Sequence, residues 1–144
     1  MEERKIRIVL AKLGLDDHTR PLYVVSQGLR DAGMEIIYLG LFQTPERVVK
    51  AAIAEDADAI GLSFHTMHYI GWVGATINLL KENKAEDICL FIGGVIPADD
   101  KIHLESVGVD EVFRPGTSME VITSHIKEIV KKKRWQAAPK PPKL

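Results

Sequence analysis

Short aliphatic runs recur along this chain, and each is followed by a segment in which apolar residues return every three or four positions. The runs occupy residues 6–11, 35–39, 59–63, 88–92 and 111–113, and the amphipathic segments occupy 22–32, 45–55, 69–82, 98–106 and 119–133. Runs that are apolar throughout, not alternately, predict strands buried on both faces, hence a parallel sheet with helices on each side. Local punctuation agrees. Thr44-Pro45-Glu46 reads as an N-cap followed by proline at the first helical position. Gly33 and Gly108 read as helix stops, and Thr117 or Ser118 caps the last helix, with Glu120 in its first turn. The pattern predicts an α/β fold: a doubly wound, five-stranded parallel sheet, flavodoxin-like (Rossmann-like) in class. Strand order follows from that class and not from the periodicity.

Composition narrows the function classes. The 144 residues suit one domain, set at 1–134, with a proline-rich tail at 135–144 expected to be extended. Lys and Arg number 19 against 20 Asp and Glu, so neither nucleic acid nor an anionic membrane is expected as a partner. The basic run Lys131-Lys132-Lys133-Arg134 falls at the end of the last helix, where cations complement the helix dipole. Cys89 is the single cysteine and lies inside an aliphatic run, so it reads as a buried structural thiol. The N-terminus is charged and no apolar stretch reaches membrane-spanning length, which points to a cytoplasmic protein.

Candidate chemistry gathers where the predicted strands end. Asp16-Asp17-His18 follows the first run, so a histidine stands near a carboxylate at the carboxyl end of a strand, the side where open α/β sheets bind ligands. A carboxylate that fixes the tautomer is the arrangement metal-binding imidazoles favour. Alone, the pair reads more readily as solvated loop residues. The third strand ends at Ser63, followed by His65, His68, Tyr69 and Trp72; the fourth at Gly93-Gly94; the fifth at Arg114-Pro115-Gly116-Thr117. Paired glycines after a buried strand permit close approach of a flat group, though a tight turn needs them equally. Ser63 also reads as a cap, and Pro115-Gly116-Thr117 as a plain entry into a helix or a phosphate-holding turn. His65 and His68 have metal-ligand spacing but no obvious third ligand beyond His18 or Asp16. His103 and His125 read as ordinary surface residues of helices.

Asp16-x-His18, Ser63, Gly93-Gly94-Val95-Ile96-Pro97 and Pro115-Gly116-Thr117, with 29–38 and 43–46, resemble the cobalamin-binding domain of adenosylcobalamin-dependent acyl-CoA mutases of the methylmalonyl-CoA mutase type. The resemblance runs from about Lys5 to Arg134. It implies that His18 is the lower axial ligand to cobalt, with Asp16 bonded to its other ring nitrogen. It further implies that the displaced nucleotide tail enters a pocket bounded by Ser63, Gly93, Gly94, Pro115, Gly116 and Thr117. The cofactor implied is adenosylcobalamin (coenzyme B12), used in radical carbon-skeleton isomerisation. The acyl-CoA substrate would be bound mainly by a separate large TIM-barrel subunit, so this chain would be a small subunit, inactive alone and carrying no catalytic residue of its own.

Three positions depart from the family pattern. Pro21 stands where Asp-x-His-x-x-Gly has glycine, His65 where Ser-x-Leu has leucine, and Arg114 where a small residue usually precedes Pro-Gly-Thr. All three belong to the expected cofactor pocket. Retention of Asp16 and His18 favours cobalamin binding. The alternative is a non-enzymatic domain of the same fold with a divergent pocket, acting in cobalamin sensing, trafficking or protein regulation. A methyl carrier would bring an N-terminal helical bundle, and a receiver domain would bring a lysine near the fifth strand; this sequence shows neither.

Overall fold

In the computed structural model, which describes residues 4–14, 20–65 and 68–136, every strand pairs in parallel with its neighbours. The elements run β1 (Arg7–Leu13), α1 (Arg20–Asp31), β2 (Glu35–Gln43), α2 (Pro45–Ala54), β3 (Ala59–Phe64), α3 (Tyr69–Glu82), β4 (Cys89–Gly94), α4 (Ala98–Val107), β5 (Glu111–Phe113) and α5 (Met119–Val130). The strand order is β2-β1-β3-β4-β5, the doubly wound order of flavodoxin-like folds, with its reversal between β1 and β3. The α/β reading of the sequence holds.

The two faces of the sheet carry separate cores. Val9, Ala11 and Leu13 of β1 face α2, α3 and α4, where Val48, Val73 and Leu104 complete one apolar cluster. Ile8 and Leu10 face the other way, toward Leu22 and Leu29 of α1 and Ile122 and Ile126 of α5. This alternation on a strand that is apolar on both sides is what central parallel strands require.

Helix boundaries follow the expected chemistry. Thr44 caps α2 by accepting from the Arg47 N–H at 3.2 Å, and Pro45 opens the helix. Ser118, one of the two candidates, caps α5 by accepting from the Val121 N–H at 3.2 Å. Gly33 and Gly108 take φ of 91° and 132° after α1 and α4.

Two differences from the sequence reading have physical causes. β2 continues past residue 39 to Gln43 because Gly40, with φ of 80°, lets the strand absorb register shifts against β1 instead of ending it. At the other end, Trp135 belongs to the folded part and not to the tail. α5 widens into a π-helical turn, Lys131–Trp135, which carries Arg134 and Trp135 onto the amino edge of the sheet. Arg134 there meets Asp58 and Asp56 at 2.8 Å and Asp87 at 2.6 Å, while the Trp135 indole donates to Asp58 at 2.9 Å. The basic run therefore ties the last helix to the sheet, a role beyond complementing a dipole. Residues 137–144 lie outside the described residues.

Candidate functional site

The carboxyl edge of the sheet opens into a cavity of about 260 Å³ between the strands and the α1/α5 layer. Its floor and walls are apolar: Leu10, Leu22, Val25, Phe91, Phe113 and Ile126 are representative. Glycine makes the space. A Cβ on Gly61, in the middle of β3, would stand 2.6 Å from Leu10 Cδ2, and one on Gly94 would stand 2.2 Å from the Phe64 carbonyl oxygen. Gly94 also holds φ of 148°, so both its backbone conformation and its surroundings demand glycine. What crowds Gly94 is the backbone of the neighbouring β3, whereas a Cβ on Gly93 would meet only the Phe113 carbonyl oxygen, at 3.9 Å.

Polar groups cluster at the mouth. Ser63, Gly93, Gly94, Pro115, Gly116 and Thr117, drawn from three strand ends, all line this one cavity. So do the three departures, Pro21, His65 and Arg114. Pro21 lies in the first turn of α1, a position where its fixed φ is accommodated and its missing N–H costs nothing. Asp16 and His18 lie outside the described residues, as do Thr66 and Met67.

Lys12 escaped the sequence reading. It is fully buried, lines the cavity, and donates from Nζ to the Ser63 carbonyl at 3.3 Å. An ammonium in a strand interior costs several kcal/mol unless polar groups compensate it, so it is not a packing choice. The signal was present: Lys12 continues the Ile8, Leu10 alternation and replaces the next apolar residue with a charge.

Beyond Lys12 the chain leaves β1 through Gly14, whose φ is 71° and whose N–H donates to the Gln43 carbonyl at 3.0 Å. The Trp72 indole lies directly against Gly14; a Cβ there would stand 3.2 Å from Cζ2. Trp72 thus supports the start of the segment that carries Asp16 and His18. His68 and Trp72 border a separate shallow groove, whereas His65 lines the cavity. No group of three metal-binding side chains occurs among the described residues, so the histidine pair does not form a metal cluster there.

Second-tier contacts brace this edge. The Tyr69 hydroxyl donates to Asp100, joining the starts of α3 and α4. That bond, with burial and the nearby carboxylate charge, pushes the Tyr69 phenol up to about 12, so it stays neutral at physiological pH. Cys89 lies at the opposite end of β4, fully buried, and burial first of all pushes its thiol up to about 12. It is the inert structural thiol the sequence suggested. His125 is more than an ordinary surface residue: its Nδ1 lies 2.7 Å from Glu111 Oε2 and its ring tilts against Phe113, a cavity-wall residue.

Against known proteins, residues 6–123 match the B12 binding domain family. The chain is 41% identical over 130 residues to the 2-hydroxyisobutanoyl-CoA mutase small subunit of Aquincola tertiaricarbonis, covering 90% of this chain and 96% of that protein. It is 37% identical over 132 residues to the pivalyl-CoA mutase small subunit of Xanthobacter autotrophicus, covering 91% and 88%. The methylmalonyl-CoA mutase of Cereibacter sphaeroides is 33% identical over 133 residues, 92% of this chain but 19% of that longer protein. Among solved structures, a cobalamin-binding protein from Desulfitobacterium hafniense superposes with a TM-score of 0.75 at 21% identity, over 88% of this chain and 60% of that one, a likeness of fold.

Proposed function

The chain belongs to the B12-binding domain family, and from that premise we propose that it is the cofactor-holding small subunit of an adenosylcobalamin-dependent acyl-CoA mutase, acting in the cytoplasm with a large TIM-barrel subunit that binds the acyl-CoA. The observation that carries this reading is the near full-length similarity to two separate mutase small subunits. A larger partner is consistent with the methylmalonyl-CoA mutase, in which the similar region is a fifth or less of the protein.

The residues suit the group. At about 260 Å³ the cavity lies below the roughly 300–1,000 Å³ of sites that enclose a whole ligand. It is suited to the bicyclic nucleotide tail and is too small for the corrin ring. Ser63, Gly93, Gly94, Pro115, Gly116 and Thr117 would hold that tail. His18 would supply a ligand to cobalt, and Asp16 would fix its tautomer and raise its basicity. Bound there, adenosylcobalamin supplies a homolytically cleavable cobalt–carbon bond, the radical source for carbon-skeleton isomerisation. The protein's own part is orientation: the apolar walls exclude water from the tail, Lys12 fixes the Ser63 carbonyl at the mouth, and Trp72 braces the exit of β1.

The test is a UV–visible titration with adenosylcobalamin, alone and with a candidate large mutase subunit. We expect a protein-ligated, base-off spectrum in the wild type that His18→Ala abolishes. An unchanged spectrum in His18→Ala would remove His18 as axial ligand. Absence of binding in both conditions would favour the second reading, in its form of a protein-regulatory domain with a closed pocket. The observation on its side is that Pro21, His65 and Arg114 all line the cavity.

A further inference from the structure

The cavity has an apolar body and a cationic mouth. Among the described residues that line it, Lys12, His65 and Arg114 are basic and none is acidic. A ligand that fills such a space has an apolar, ring-like end inside and an anionic group at the entrance. The three bases are not equivalent. Lys12 is fully buried and committed to the Ser63 carbonyl, and His65 also has partners. Arg114 is exposed, and among the described residues its guanidinium makes no hydrogen bond or ion pair. Its backbone, by contrast, is fixed. The Arg114 carbonyl accepts from the Thr117 N–H at 3.2 Å and from Thr117 Oγ1 at 2.6 Å, closing a tight turn over Pro115 and Gly116. An anchored backbone that presents an uncommitted planar cation beside a cavity mouth is suited to a tetrahedral oxyanion, which a guanidinium grips through two donors.

We propose that Arg114 is an anion clasp for the phosphodiester of the nucleotide tail, and that it makes this chain discriminate complete cobalamin from corrinoids truncated before that phosphate. The proposal rests on the reading of the cavity as the tail site and adds its specificity determinant. The position of Arg114 in place of a small residue is then a gain of contact at the mouth and not an obstruction. Because the contact is exposed, salt screens it.

The experiment compares adenosylcobalamin with cobinamide, which lacks the phosphate and the nucleotide, in binding titrations of wild type, Arg114→Gln and Arg114→Lys. We expect wild type to prefer adenosylcobalamin. Arg114→Gln should weaken adenosylcobalamin about tenfold, as for loss of one charge-assisted hydrogen bond, and leave cobinamide unchanged. Arg114→Lys should keep part of the preference, and the wild-type advantage should shrink at high salt. Equal binding of both corrinoids by wild type would overturn the clasp while leaving cobalamin binding intact. Tighter adenosylcobalamin binding by Arg114→Gln would also overturn it, marking the side chain as a plug. Binding of neither corrinoid by wild type would remove the cobalamin reading and the clasp together.

Discussion

The two edges of the sheet are held by opposite means. At the amino edge, charges interlock: Arg134, only 12% exposed, meets Asp56, Asp58 and Asp87, and the Arg4 guanidinium covers the Trp135 ring at 5.0 Å. Asp58, 1% exposed, accepts from the Arg7 N–H at 3.0 Å, and the half-buried Asp110 accepts from the Leu90 N–H at 2.8 Å, so carboxylates also fasten the starts of strands. At the carboxyl edge, by contrast, the described residues form a cavity with an uncommitted arginine at its mouth. Positive φ at residues other than glycine occurs at both edges, at Phe42 on this one and at Asp56 and Lys84 on the other. Ion pairing concentrated at one edge leaves the other free to keep a void and an unpaired charge, which a binding site needs and a stable fold does not.

Breaking the tied edge should have the largest effect on stability and little on binding. Arg134→Ala leaves carboxylates without their main counter-charge, and the loss expected for breaking a buried pair is about 3 kcal/mol. That corresponds to roughly 10 °C in Tm. Adenosylcobalamin titrations below the new Tm should match wild type, and a parallel loss of affinity would show that the edges are coupled.

The reverse experiment sharpens the contrast. Gly94→Ala forces the Phe64 carbonyl and the cavity wall apart, at a stability cost of about 1–3 kcal/mol. Its signature should be a tenfold or greater loss of cobalamin affinity, out of proportion to the change in Tm. Unchanged affinity would mean that the β4 turn does not border the ligand.

The smallest effect is alkaline. Cys89 ionises in the folded protein only near 12, against 9 when unfolded, through burial first and the Asp110 charge second. The unfolded state therefore sheds its proton earlier. Stability from this group is intact below pH 9 and falls as pH rises toward 12, by at most about 1.4 kcal/mol per unit. Between pH 9 and 10, before Tyr69 contributes, Tm should decline in wild type and decline less in Cys89→Ala. Equal slopes would refute the assignment.

Much of this was legible in the sequence because the signals are local. Parallel strands announce themselves as unbroken aliphatic runs, and Thr44-Pro45 and Gly33 mark boundaries through their own backbone preferences. The grouping of Ser63, Gly93, Gly94 and Thr117 around one cavity followed from topology alone, since strand ends converge in this fold. What was hidden depends on distant partners. Lys12 went unread, because the Ser63 carbonyl it meets is remote in sequence. The second run seemed to end at residue 39 because only pairing with β1 carries the strand through Gly40 to Gln43. Arg134 read as the end of a helix and Trp135 as the start of the tail because the carboxylates that capture them lie before β3 and β4.

One consequence lies in the positions of the two tryptophans. Trp72 rests under Gly14 at the ligand edge, and Trp135 is pinned to Asp58 at the tied edge. The chain thus carries one native fluorophore at each end of its sheet. Ligand arrival should dim the first and leave the second glowing, whereas fraying of the last helix should change the second alone. Replacing either ring with phenylalanine would turn the protein's own emission into an optical gauge for one edge at a time.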